Sequence, residues 1–159
     1  MSGGTKKQKI MRNRKFKIIY SGLIAGFVSE GFLGMIFTSA PIKKILYNPD
    51  WQSKIFLEVT PTRDLFPSVA GIVILSIAHS WLFAVFQKSI PGKTWFNQGS
   101  FWGFTIWLMY WVFQEWFIYH TLLQEPILLN AVELIILLMG SFIEGLIISK
   151  ILFEKKKTE

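Results

Sequence analysis

Of the twenty residues at positions 18–37, only Glu30 carries a formal charge, and no other feature limits the fold of this chain as strongly. At a rise of about 1.5 Å per residue, twenty such residues make a helix of about 30 Å, the thickness of a bilayer's hydrocarbon core. Three more stretches behave alike, at 65–86, 100–123 and 126–149. A backbone in lipid must satisfy its own hydrogen bonds, which leaves helices or closed barrels, and runs of this length select helices. The expected fold class is all-α: a polytopic membrane protein with a four-transmembrane-helix bundle over residues 18–153. A basic segment, 1–17, precedes it and reads as disordered until it meets a membrane. An interfacial loop, 39–64, joins the first two spans, and a basic tail, 154–159, follows the last.

Composition agrees. The chain has 159 residues, 52% of them hydrophobic, with seven Trp and fifteen Phe, a load that suits a membrane bundle with aromatic belts better than a soluble domain. The absence of cysteine excludes disulfides, thiolate metal sites, iron–sulfur clusters and thiol nucleophiles. The 17 Lys and Arg are unevenly placed. Seven lie in 6–17, two are Lys88 and Lys93, and four fall in 150–157, whereas the connection at 121–126 has none. By the positive-inside rule this predicts cytoplasmic termini in a cell membrane, a bacterial inner membrane being the expected one. The basic ends abut spans directly, so anionic headgroups are the expected partners of 6–17 and 150–157, and nucleic acid is not. The first span is too long for a signal peptide and contains a carboxylate, so it reads as a retained helix.

Within the first span Gly22, Gly26, Glu30, Gly34 and Thr38 recur every four residues, forming one helix face. Gly22, Gly26 and Gly34 make that face a helix-packing seam, since glycine lets helices approach closely in lipid. Glu30 is thereby set against protein rather than acyl chains. A weak internal echo pairs Ser76–His79–Ser80 with Ser141–Glu144–Gly145, and Gly26-Phe27 with Gly103-Phe104. It fits either a duplicated two-helix unit, repeated about an axis along the membrane normal, or a chance match between apolar sequences.

Ionisable groups inside spans are costly and point to function. Counting rise from the outer ends puts Glu30, Glu115 and Glu133 roughly 8–12 Å deep, in one layer. His79 and Glu144 fall about 10 Å from the inner surface, at equivalent positions of the echo. Helical counting leaves Glu115 about 100° away from the line through Gly103, Trp107, Tyr110 and Gln114, facing either the bundle or a neighbouring subunit. Neighbouring carboxylates in lipid cannot all stay ionised, so they would share protons or hold a cation. His79 and Glu144 would form an inner relay.

No Glu-x-x-His pair, nucleophile–base set or phosphate-binding loop occurs, which argues against an enzyme. The two histidines, His79 and His120, lie near opposite surfaces and cannot both ligate one haem. No cofactor is expected, and the metal question stays open, with Mg²⁺ or Mn²⁺ conceivable on three carboxylates. The functional expectation is proton- or cation-coupled transport, or ion binding, through Glu30, Glu115, Glu133, His79 and Glu144. Four spans make a thin wall, so a homo-oligomer is expected. The alternative is a non-catalytic subunit or scaffold whose intramembrane Glu and His serve as interhelical hydrogen-bonding groups.

Overall fold

The computed structural model of the protein describes residues 3–51 and 64–154, with side chains from residue 13 onward. The 52–63 portion of the expected interfacial loop and the tail beyond 154 lie outside the described residues. Every regular element among the described residues is helical.

Helix α1, Gly3–Thr38, runs through both the basic segment and the first span. The disorder expected of residues 1–17 is corrected for 3–17: their Lys, Arg, Gln and Met are strong helix formers, and no proline interrupts them. The helix ends where Thr38 and Ser39 hydroxyls donate to the carbonyls of Gly34 and Ile36, each at 2.7 Å. These bonds satisfy groups that a helix end leaves open. Pro41 then starts a short helix, α2, Ala40–Leu46. Its Ile42 packs with Leu33, Ile136 and Leu137.

Helix α3, Leu65–Phe86, coincides with the expected second span. The Asp64 carboxylate caps it by accepting from the Phe66 amide at 3.1 Å. Helix α4, Trp95–Ile106, begins at a Thr94 cap whose hydroxyl accepts from the Asn97 amide. Beyond Ile106 the chain stays helical but widens. Trp107–Trp111 and Phe113–Leu122 are π-helical, separated by Val112. Amides here reach back five residues, Val112 to Trp107 and Leu123 to Ile118. Helix α5, Ile127–Leu152, follows Pro126.

Among the described residues, three helical stretches are long and apolar enough to cross a membrane: Asn13–Thr38, Leu65–Phe86 and Ile127–Leu152. Helix α1 packs between α3 and α5, and α5 packs between α1 and α4. Small residues permit these approaches. A Cβ on Gly22 would lie 2.7 Å from the Ile77 Cα, and one on Gly26 would strike Ser76. On the other side of the molecule a Cβ on Gly103 would lie 2.5 Å from the Ser141 carbonyl. The seam stops there. Gly34, expected to extend it, is exposed and would gain no contact within 4 Å.

The distribution of polarity is that of a membrane-embedded protein. Phe27, Met35, Phe66, Ile74, Trp81, Met109, Phe113 and Ile135 face outward. Ser21, Ser80, Gln98, Asn130, Ser141, Glu144 and Ser149 are buried. A water-soluble chain would expose far less contiguous apolar surface. The buried polar groups tie helices together: Ser80 donates to the Ile18 carbonyl at 2.8 Å, and the Trp107 indole to that of Leu134 at 2.9 Å.

Candidate functional site

Between the helices lies a half-open cavity of about 370 Å³. Gly26, Ser29 and Glu30 of α1 line it on one side, and α3 contributes Pro67, Ser68, Gly71, Ile72, Leu75, Ser76 and His79. Tyr110 and Trp111, from the first π-helical segment, and Glu144 of α5 complete the wall. Four elements that are distant in sequence thus converge on one space, and its lining is mixed. Ser29, Glu30, Ser76, His79, Tyr110 and Glu144 supply polar atoms, whereas Ile72, Leu75 and Trp111 supply apolar surface. Glycine at position 26 lets α1 pack closely on α3, since a Cβ there would meet the Ser76 side chain.

At one end of this cavity His79 Nδ1 and Glu144 Oε1 are 2.9 Å apart, with both side chains nearly buried. The separation is that of a good hydrogen bond, and it becomes charge-assisted when the imidazole is protonated. One hydrogen lies between a ring nitrogen and a carboxylate oxygen, and the other ring nitrogen remains for a further partner. Such a pair can accept or release a proton without exposing a bare charge to lipid. Glu30 is half-buried in the same cavity.

A second polar centre sits near the start of α5. One carboxylate oxygen from each of Glu115, Glu125 and Glu133 lies within 4.8 Å of the other two. Asn130, fully buried, donates from Nδ2 to the Glu115 carbonyl at 3.0 Å and to Glu115 Oε2 and Glu125 Oε2 at 3.3 Å each. Glu125 reaches the group through a sharp turn in which Gln124 has φ +57, a left-handed conformation. The turn is held by His120 Nδ1, which donates to the Glu125 carbonyl at 2.7 Å, and by the Glu125 amide bonding the Tyr119 carbonyl. Burial, and then the negative charge of Glu133, push the Glu125 carboxyl up to about 7, against the opposing effect of its bond from Asn130.

The expected ionisable residues are therefore divided between two places. His79 and Glu144 meet, and Glu30 shares their cavity. Glu115 and Glu133 meet one another, and their third carboxylate is Glu125 rather than Glu30. Glu133 and Glu144 are eleven residues apart on α5, so the two centres lie about 16 Å apart along that helix. Sequence reasoning missed Glu125 and Asn130 as members of this centre. The spacing held a signal: Glu125, Asn130 and Glu133 all fall at the entry and first two turns of one apolar helix.

Comparison with protein-family models, curated proteins and solved structures finds no match to this chain. Fold and sites define it as a helical membrane-embedded protein with internal carboxylates.

Proposed function

We propose that this chain is a small ion-handling membrane protein that moves protons, or a cation exchanged for protons, through the cavity shared by α1, α3, the π-helical segment and α5. The observation that carries the reading is the His79–Glu144 hydrogen bond inside a half-open cavity that also holds Glu30. Glu30 serves as the entry carboxylate and the His79–Glu144 pair as the deeper relay. A cavity of this size with mixed walls admits water or a small ion, and its polar groups supply several steps for a proton.

In this reading the chain crosses the membrane four times, α4 and the π-helical segments together making the third crossing. Both termini are cytoplasmic, in a bacterial inner membrane, and basic residues in 6–17 and 150–157 face anionic headgroups. The protein works as a homo-oligomer, which thickens the wall around the pathway. A duplicated helix pair is supported by matching contacts: Gly26 lies against Ser76, and Gly103 against Ser141, the same residues that echo in sequence. The echo also aligns His79 with Glu144. The repeat is better described as a step around the bundle than a half-turn about a membrane normal. A half-turn would match the α1–α5 packing with an α3–α4 packing, and none comparable occurs among the described residues.

The test exploits the cysteine-free background. Gly71→Cys, in the cavity wall with open space around an added Cβ, is expected to react in intact membranes with a charged, water-soluble thiol reagent. Exclusion of the reagent, with labelling only by apolar maleimides, would remove the aqueous pathway. A scaffold role is the second reading, favoured by buried hydroxyls that tie helices together, such as Ser149 donating to the Trp95 carbonyl at 2.7 Å. It requires Glu144→Gln to change stability alone, each such bond contributing on the order of 0.6–2 kcal/mol.

A further inference from the structure

The side chains around the cavity present many hydrogen-bond acceptors and few donors. A serine hydroxyl has one hydrogen to give and two lone pairs to accept with. Each of the three serines in the wall commits its hydrogen to a backbone carbonyl three or four residues back. Ser29 donates to Gly26 at 3.1 Å, Ser68 to Asp64 at 2.8 Å and Ser76 to Ile72 at 2.6 Å. What these hydroxyls offer to the space is their lone pairs. Glu30 and Glu144, when ionised, are acceptors alone, with several lone pairs each, and His79 engages one oxygen of Glu144. While His79 gives its Nδ1 hydrogen to that carboxylate, Nε2 of the neutral ring is one more acceptor. The Tyr110 hydroxyl and the Trp111 indole are the donors left among the lining side chains.

We propose that the cavity binds a small organic cation rich in N–H donors, an alkylguanidinium or alkylammonium, as the cation exchanged for protons. The inference rests on the reading of this cavity as the working site. A wall of acceptors with two carboxylates selects a ligand that brings both positive charge and hydrogens, and it repels an anion. A volume of about 370 Å³ lies in the range of small-molecule sites. Ile72 and Leu75 give a short carbon chain an apolar surface to lie on. Tyr110 and Trp111 bring two aromatic rings to the wall, and ring faces attract organic cations. A bare metal ion is served less well: among the described residues, Glu30, His79 and Glu144 do not form a cluster tight enough to ligate one.

Binding can be read apart from conduction. The full chain, purified in detergent, would be titrated calorimetrically at low ionic strength with propylguanidinium, and in parallel with tetramethylammonium and propionamide. The first control carries charge without N–H donors, and the second carries N–H donors without charge. The expected result is saturable binding of propylguanidinium at a single site, competed by propylammonium, with each control weaker by about tenfold or more. Glu30→Gln and Glu144→Gln should each weaken it by a similar factor, while Glu125→Gln, at the other centre, should leave it unchanged. Glu30 is only half-buried, so its variant tests the site even if Glu144→Gln fails to fold. Absence of saturable binding would overturn the assignment, as would full affinity in Glu30→Gln or equal affinity for tetramethylammonium. Saturable binding in a protein that does not dissipate a pH gradient would keep the ligand and remove conduction, and proton flux without binding would do the reverse.

Discussion

A carboxylate that leaves water must find a proton, a cation or a set of donors, and the acidic residues of this chain solve the problem differently. Glu144 uses His79. Replacing His79 with Ala would leave the carboxylate nearly buried without its partner, so a loss of stability of about 1–3 kcal/mol is expected, read as a lower thermal midpoint in detergent; His79→Asn, which can still donate, should recover part of it. Glu125 has burial and Glu133 against it and Asn130 in its favour, and titrates at about 7 instead of 4.5. Its folded-state proton affinity exceeds that of the unfolded chain. The folded state therefore binds more protons between about pH 4.5 and 7, and stability falls as pH rises through that window. The groups facing it are Glu115, Glu133 and Asn130, with His120 on its backbone carbonyl. Thermal midpoints should decline from pH 4.5 to 7, and Glu125→Gln should flatten the decline. An unchanged slope in that variant would locate the titration elsewhere.

Among elements, the π-helical stretch decides how much of the site could be read in advance. Counting four residues per step left Glu115 about 100° off the inward line of α4. Bonding five residues apart widens each turn, and Glu115 ends up 3% exposed, facing α5. Nothing in W-L-M-Y-W or F-Q-E-W-F announces that change of pitch, because aromatic residues are compatible with either helix. By contrast, 65–86 was legible to the residue: Asp64 caps it, Pro67 fits its first turn, and no charge interrupts it. The meeting of His79 and Glu144 was legible too, from depth and from the echo between their helices. Glu125 was hidden because a Glu-Pro pair at a helix start has an ordinary capping role, and the left-handed Gln124 that redirects it has no sequence signature. Glycines read well where helices touch and poorly where they do not. Gly103→Val would drive a methyl into the Ser141 carbonyl, and a loss of about 1–3 kcal/mol is expected. Gly34→Ala meets open space and should be neutral or stabilising by up to about 1 kcal/mol. Thermal unfolding of the two variants side by side checks both statements.

At the scale of the molecule, the order α3–α1–α5–α4 leaves α3 and the π-helical segment facing each other across the cavity without packing closely. A gap between two otherwise well-packed helix pairs is what an ion pathway needs. In the orientation proposed above, Ser68 lies toward the outer side of that gap and His79 toward the cytoplasm. A reporter fused after Glu159 should accordingly read as cytoplasmic. The most direct test of the account is proton flux in proteoliposomes containing the full chain, driven by an imposed pH gradient and followed with an entrapped pH dye. The wild-type protein should dissipate the gradient faster than empty liposomes, and Glu30→Gln and Glu144→Gln should each reduce that rate to the empty-liposome level while remaining folded. A wild-type rate equal to that of empty liposomes, or undiminished flux in both variants, would contradict it.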